Sequence, residues 1–385
     1  MKKKICLVTG SRAEYGMLKN LIKKLKNDKN INLKILVTGM HLSRDFGNTY
    51  KEIVKDGFKI EKKINILNSS DSPKAISTAT GKGIMQFASI FKSMKPDLLI
   101  ILGDRYEIFS SAIAAYFQLI PIAHISGGGV TLGAFDDSLR HSISKMSWYH
   151  FVANSLNKKR VIQLGEDPKR IFVTGSVGVD VLRNTRLHSK KIIEKKMNFK
   201  FNKKNLLITY HPVTLEKNTS AVHFKQILSA LSALKDTKLI FTFPNSDTNG
   251  RIIIKMIKKF VSSRKNDSVH FKSMGHTNFL SVLKQVDCLV GNSSSGILEA
   301  PSFKIPTINI GDRQEGRSKT SSVVDCKPIK KEILKSIKKI YSKKFRKKLI
   351  NTKNPYESKN SSDKIFKIIK KTVLPSNLKK KFYDL

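Results

Sequence analysis

Residues 103–151 read GDRYEIFSSAIAAYFQLIPIAHISGGGVTLGAFDDSLRHSISKMSWYHF. An apolar run, Leu98–Leu102, ends at Gly103-Asp104-Arg105, and a second, Ile120–Ile125, ends at the triple glycine Gly127–Gly129. In an open parallel sheet, ligands sit just beyond the carboxyl ends of the strands. The polar residues that follow these two runs are therefore candidates for chemistry. Asp137, Arg140 and His141 are spaced i, i+3, i+4, so one helix face presents them together. Blander readings stand beside these. Asp136 fits an N-cap, and a histidine at the end of an apolar run, as His124 is, is more often a satisfied core residue than a ligand. The combination is stronger than its members, because glycines let a backbone approach a ligand closely and the charges lie next to them.

Outward from this stretch the pattern repeats. Lys4–Thr9 is an apolar run followed by Gly10-Ser11-Arg12 and a helical pattern through Leu18, Leu21, Ile22 and Leu25. A second run, Leu33–Thr38, ends at Gly39-Met40-His41. Strand, glycine turn and helix in that order make a βαβ unit with a parallel sheet. The turn is not GxGxxG, so the dinucleotide fingerprint is absent. Arg12 stands where a helix N-terminus would hold a phosphate. Helices are expected over 46–57 and 75–94, and a strand is expected from Ile64. The βα alternation continues to the strand 170–173.

Residues 183–204 are rich in Lys and Asn and read as a helix and linker, after which the pattern restarts. Strands over 205–209, 239–243, 269–271, 288–290 and 305–310 end at His211, Asn245, Ser273, Asn292-Ser293-Ser294-Ser295-Gly296 and Gly311-Asp312-Arg313. The serine-rich loop precedes a helix expected over 297–300, and its N–H groups and hydroxyls suit a diphosphate. A serine N-cap would account for one serine but not three. Glu299, a turn into that helix, suits ribose hydroxyls.

The chain has 385 residues, enough for two ordinary domains, with 40% hydrophobic and 26% charged residues. No apolar run has the length of a transmembrane helix, and the N-terminus reads as a strand and not a signal peptide. Cys6, Cys288 and Cys326 show neither metal nor disulfide spacing, which fits a reducing cytoplasm. The formal net charge of +44 raises nucleic acid as a partner. The lysines, however, are spread over nearly every predicted helix and form no stripe interleaved with aromatics. A general attraction to anions, nucleotide sugars included, is the expectation, with no specific nucleic-acid or membrane partner.

Several motifs then carry a resemblance: GSRAEYG (10–16), TGMHLS (38–43), GDRYE (103–107), AHISGG (123–128), DDSLRHSISKMS (136–147), YHPVTLE (210–216), PNSD (244–247), GNSSSGILEAPSF (291–303) and NIGDRQEGR (309–317). In order and spacing the chain resembles the hydrolysing UDP-N-acetylglucosamine 2-epimerases from about residue 4 to residue 326. The resemblance implies an α/β, GT-B-like fold with two Rossmann-like domains, parallel sheets and a cleft between them. We place the domains at 1–180 (sugar and catalytic side) and 181–358 (nucleotide side), with 359–385 a helix and tail expected to cross back.

The resemblance also implies a reaction. UDP leaves C1 and a proton leaves C2, giving a 2-acetamidoglucal; water adds back with inversion at C2 to release N-acetylmannosamine for sialic-acid-like sugars. It makes Asp104, Asp136 and Asp137 the acid/base set, with His211 beside them. Arg12, His211, Ser293, Ser294 and Arg313 take the diphosphate, and Glu299 the ribose. Arg105, Asn245, Ser273, Ser295 and Gly296 are further expected at the nucleotide, and His41, His124, Arg140 and His141 at the sugar. Neither cofactor nor metal is expected, and a homo-oligomer is. One position departs from the family: it usually reads GGE where this chain has Gly127-Gly128-Gly129, so a glutamate of the acid/base set is missing at Gly129. GDP in place of UDP, a GT-B glycosyltransferase, and a catalytically impaired nucleotide-sugar binder remain the alternatives.

Overall fold

A computed structural model describes residues 2–385 except the side chains of Arg183 and Asn184. The first part of the chain alternates β1 (Lys3–Thr9), α1 (Arg12–Asn27), β2 (Ile31–Thr38), α2 (Tyr50–Lys55), β3 (Ile60–Ile64), α3 (Pro73–Met94), β4 (Leu98–Leu102), α4 (Tyr106–Phe117), β5 (Ile122–Ile125), α5 (Asp136–Met146), β6 (Tyr149–Val152), α6 (Ser155–Gln163), β7 (Ile171–Val173) and α7 (Val177–Asn184). Its seven strands form one parallel sheet in the order β3-β2-β1-β4-β5-β6-β7. Strands β1, β4 and β5 are almost wholly apolar and buried, as strands covered on both faces must be.

The second part runs α8 (Lys190–Met197), β8 (Lys204–Thr209), α9 (Ser220–Ser232), β9 (Thr237–Thr242), α10 (Gly250–Ser262), β10 (Ser268–Phe271), α11 (His276–Gln285), β11 (Cys288–Gly291), α12 (Ser295–Leu298), β12 (Thr307–Ile310), β13 (Val323–Cys326), α13 (Lys330–Ile340) and α14 (Lys343–Ile350). Its six-stranded parallel sheet has the order β10-β9-β8-β11-β12-β13. A last helix, α15 (Ser361–Lys371), packs on α1.

By contact the chain divides into two compact units. The first holds residues 1–129, 136–183 and 356–385; the second holds 130–135 and 184–355. Within the first, one core cluster joins Leu18, Leu21 and Ile22 of α1 to Ile365 and Ile369 of α15. On the other face Phe87 and Phe91 of α3 stack and pack with the α4 residues Ile108 and Ala112. Within the second, Phe224, Ile227, Phe241, Ile253 and Ile333 close the core over the sheet. Cys6, Cys288 and Cys326 are buried and unbridged.

Several elements differ from the sequence reading. The helix expected over 46–57 is only the six residues of α2, because a 3₁₀ turn at Arg44–Phe46 and the left-handed Gly47 precede it. Strand β3 lies at the sheet edge before the expected position, and its exposed Lys62 and Lys63 hide it from an apolar-run rule. Residues 177–184, between the strand expected at 170–173 and the helix and linker expected over 183–204, form α7. Strand β13 went unread, since Asp325 interrupts it.

Candidate active site

In the first unit, the candidate residues follow the adjacent strands β2, β1, β4 and β5 at their carboxyl ends. Asp104 follows β4, and α5 opens with Asp136 and Asp137 in its first turn. Arg140, whose side chain is 3% exposed, draws two of these carboxylates together. Its Nε donates to Asp104 Oδ2 at 2.6 Å, its Nη2 pairs with the same oxygen, and its Nη1 donates to Asp137 Oδ1 at 3.0 Å. Burial opposes the Arg140 charge, but Asp104, Asp137 and Asp136 outweigh it and its pKa is raised. His141 Nε2 lies 3.6 Å from Asp137 Oδ2, so the i, i+3, i+4 face is assembled as the spacing requires. Burial lowers the His141 pKa despite Asp137.

Arg140 Nη1 also donates to the Gly129 carbonyl at 2.8 Å, which ties α5 to the triple-glycine loop. The three glycines are not equivalent. Gly128 has φ +71, and a Cβ there would lie 2.2 Å from the Asn157 carbonyl oxygen; a Cβ on Gly127 would lie 2.7 Å from Ser144 Oγ. Gly129 has no such constraint: its φ is not positive, and a Cβ would meet only the Arg140 side chain at 3.8 Å or more. A side chain fits at the one position of the three where the family's glutamate is missing.

Two expected sugar ligands are corrected by their hydrogen bonds. His41 is fully buried, with Nε2 3.1 Å from Thr9 Oγ1 and Nδ1 2.9 Å from Thr49 Oγ1. His124 is fully buried as well. Its Nε2 donates to the Gly103 carbonyl at 2.8 Å, which leaves Nδ1 as the acceptor for Ser144 Oγ at 3.1 Å. Burial holds both rings down at about 3. With both nitrogens of each ring occupied inside the protein, neither offers an atom to a sugar. Arg105, expected at the nucleotide, donates from Nε to the buried Glu107 at 2.7 Å.

Arg12 begins α1 with Nη1 buried and unpartnered among the described residues. Ser11 caps the helix and Glu14 reaches back, accepting from Gly10 N at 2.7 Å and Ser11 Oγ at 3.1 Å, a variant of the capping box. Burial and the neighbouring Glu107 push the Glu14 carboxyl up to about 8. Gly10 and Gly39 make room for Glu107: a Cβ on either would lie within about 3 Å of its side chain. The sequence reading missed this Glu14–Glu107–Arg105 group, although the E of GSRAEYG and of GDRYE stood in the motifs.

In the second unit, the candidates come from neighbouring strands in the order β10, β9, β8, β11, β12: Ser273, Asn245, His211, Asn292 through Ser295, and Arg313. Asn292 holds the ends of β8 and β11 together. Its Oδ1 accepts from His211 N at 2.7 Å and its Nδ2 donates to the His211 carbonyl at 2.8 Å. Its own carbonyl accepts from Arg313 Nη1 at 3.1 Å and Gln314 Nε2 at 2.9 Å. Asn245 N donates to His211 Nδ1 at 3.3 Å. Asn292 was missed as a positioning residue; the signal was an amide, able to donate and accept at once, ahead of the serines.

The serine loop differs from expectation. Helix α12 is a single turn, and the amides of Ser295, Gly296 and Ile297 already bond to Ser293 Oγ, the Ser293 carbonyl and the Ser294 carbonyl. These three amides therefore point into the turn and do not form the open cradle that was expected. Gly296 is fixed by Thr307, whose Cγ2 lies 2.4 Å from where a Cβ would stand and whose Oγ1 donates to the Gly296 carbonyl at 2.8 Å. Glu299 is 6% exposed, and its Oε2 is buried without a hydrogen-bond partner among the described residues. Burial raises its carboxyl to about 7, against hydrogen bonds from Ser295 and its own backbone. Residues 130–135 pack here: Leu132 N donates to the Glu315 carbonyl, Phe135 N to Thr214 Oγ1, and Gly133 lies against the Arg313 backbone.

A family model described as UDP-N-acetylglucosamine 2-epimerase matches residues 23–370. The chain belongs to the UDP-N-acetylglucosamine 2-epimerase family. Within this family it is 43% identical over 385 residues, covering all of both chains, to the GDP/UDP-N,N'-diacetylbacillosamine 2-epimerase (hydrolyzing) of Campylobacter jejuni. It is 34% identical over 378 residues, 98% of each chain, to the UDP-N,N'-diacetylbacillosamine 2-epimerase (hydrolyzing) of Legionella pneumophila. Among solved structures, the UDP-GlcNAc 2-epimerase from Neisseria meningitidis bound to UDP-GlcNAc superposes with a TM-score of 0.80 at 20% identity, over 96% of this chain and 100% of that one. At that identity the match concerns the fold, and it places the two parallel-sheet units in the GT-B-like class. No helix among the described residues is long and apolar enough to cross a membrane.

Proposed function

We propose that this chain is a hydrolysing nucleotide-sugar 2-epimerase. It eliminates UDP from C1 together with the C2 proton of a 2-acetamido sugar, and then adds water to the resulting glycal with inversion at C2. The observation that carries the reading is the Asp104–Arg140–Asp137 bridge beside the glycine loop. Elimination needs a carboxylate to take the C2 proton and to stabilise positive charge developing at C1. Hydration needs a group to activate water and return a proton to C2. Asp104, Asp137 and Asp136 are the carboxylates for these steps, and Arg140 fixes the first two in orientation. The hydroxyls of Ser293 and Ser294, with His211 and Arg313, take the diphosphate; the unsatisfied Glu299 Oε2 accepts from ribose hydroxyls.

As substrate we propose a UDP-linked N-acetylated sugar. UDP-N-acetylglucosamine, giving N-acetylmannosamine, is the reading from the motifs. The two relatives named for N,N'-diacetylbacillosamine support a second, in which the sugar carries another acetamido group and GDP also serves as carrier. A homo-oligomer in the cytoplasm is part of the same proposal, and three buried, unbridged cysteines agree with a reducing compartment.

The test is incubation with UDP-N-acetylglucosamine, UDP-N,N'-diacetylbacillosamine and the GDP form in D2O. We expect free nucleotide and a free sugar, epimeric at C2 and carrying one deuterium there. Free sugar without deuterium at C2 would overturn the elimination reading, and transfer of the sugar to an acceptor would favour a glycosyltransferase.

A further inference from the structure

Helix α5 is an unusual support for a reaction centre, because little apolar packing holds it. Among its residues only Ile143 is a fully buried hydrophobic, and Leu139 and Met146 are partly buried. Its N-terminal half is fixed by Arg140, and Ser144, in its last turn, bonds to His124. A further tie on its C-terminal end comes from more than two hundred residues away in sequence. Lys380, with a side chain 12% exposed, donates from Nζ to the Lys145 carbonyl and to the Ser147 carbonyl at 3.0 Å.

The last carbonyls of a helix have no intrahelical partner, and a cation there also meets the negative end of the helix dipole. Lys380 satisfies both demands. The same ammonium donates to Glu166 Oε1 at 2.7 Å, and Glu166 is fully buried. Among the described residues, four cationic or titratable groups converge on it: His150 Nε2 at 3.1 Å, Lys145 Nζ at 3.2 Å, Arg170 Nη2 at 3.9 Å and Lys380. The rest of the tail is seated beside it. The Phe382 ring lies over Gly165, where a Cβ would come within 2.4 Å of it; Lys145 Nζ stands 4.7 Å above that ring, and Tyr383 N donates to the Gly165 carbonyl at 3.0 Å.

We infer that Lys380 is a positioning residue for the reaction: through the carbonyls that end α5, it holds the helix that presents Asp136, Asp137 and Arg140. The inference rests on the reading of α5 as the acid/base helix. The clamp sits at the opposite end of the helix from the carboxylates, so it touches no reacting atom. It acts on the orientation of the whole helix, where a displacement near 1 Å costs up to about 10² in rate.

The experiment uses full-length protein with Lys380→Met, which keeps the stem and removes the donor, and Lys380→Arg, which keeps the charge. Two readouts are taken: hydrogen exchange of the α5 amides, and kcat and KM below the melting temperature. We expect Lys380→Met to speed α5 exchange by about tenfold. We also expect kcat to fall about five- to tenfold with KM and UDP affinity unchanged, and Lys380→Arg to recover most of it. Should Lys380→Met not fold, Phe382→Ala, at a residue 62% exposed, is expected to move both readouts in the same direction by less. Unchanged α5 exchange overturns the clamp whatever happens to turnover. Faster exchange with kcat unchanged in an active protein overturns the positioning role. If wild type turns over no nucleotide sugar yet Lys380→Met still loosens α5, the proposed function fails and the clamp itself stands.

Discussion

In the first unit Asp104, Asp137, His41 and His124 arrive already paired, with Arg12 Nη1 the exception among the described residues, whereas in the second the Glu299 carboxyl has been left open. Asp104 and Asp137 meet on Arg140, His41 and His124 are satisfied at both nitrogens, and Glu14 lies with Glu107 and Arg105. In the second, Glu299 Oε2 is buried without a hydrogen-bond partner among the described residues, beside the serine loop. A group that does chemistry must be held in one geometry before substrate arrives, and prior pairing supplies that. A group that holds a ligand gains most when its own hydrogen bonds are completed only on binding. Under the proposed function, this contrast fits a first unit that reacts and a second that holds the nucleotide.

The largest effect that would break the contrast is at Asp104. Asp104→Asn keeps the size of the side chain and removes the charge; steady-state turnover should fall by about 10² or more while calorimetric UDP affinity stays unchanged. Retained turnover would return Asp104 to a turn former. Next is Gly129→Glu, which the backbone accepts and which places a carboxylate beside Arg140. UDP release should rise, by a factor up to about 10². A folded variant no faster than wild type would show that the carboxylates already present do the missing glutamate's work.

A smaller effect is expected in the second unit. Glu299→Ala should weaken UDP binding about tenfold, the value of one or two hydrogen bonds to a charged group, and leave the fold intact. Equal calorimetric affinities would remove Glu299 from the ribose. The last concerns stability and pH. The Glu299 carboxyl stands at about 7 against 4.5 unfolded, so its neutral form favours the native state below pH 4.5, and that advantage is lost as pH rises toward 7. The loss is on the order of 3 kcal/mol at most. The melting temperature of wild type should therefore fall more between pH 5 and 8 than that of Glu299→Gln. Parallel curves would show that the carboxyl is not held neutral.

How far all this could be read in the sequence depended on how local the cause was. Strands β1, β4 and β8 showed as apolar runs, and the Asp137–Arg140–His141 face followed from helical spacing alone. The serine loop could be placed, yet its hydrogen bonding could not: that its amides turn inward depends on a one-turn helix. The core reading of His124 was open from the apolar run it ends, but the hydroxyls that satisfy His124 and His41, on Ser144 and Thr49, come from other elements and could not be read. Glu107 faces Glu14 only because β1 and β4 are neighbours in the sheet. Gly129 was read as a defect from the motif, but whether a side chain could return there required φ and the distance to Arg140.

The division of the chain also sets an order in time. Ribosomes deliver the N-terminus first, at about 5–20 residues per second. Helix α1 emerges early, yet Ile365 and Ile369, which complete its core, emerge last, after a delay of some tens of seconds. By then every strand and helix of the second unit is out, together with residues 130–135 that it borrows. Synthesis order therefore lets the second unit have all of its chain before the first has the residues that complete its core. Two further bonds, from Lys3 Nζ to the carbonyls of Ile369 and Thr372, join the same distant stretches of chain.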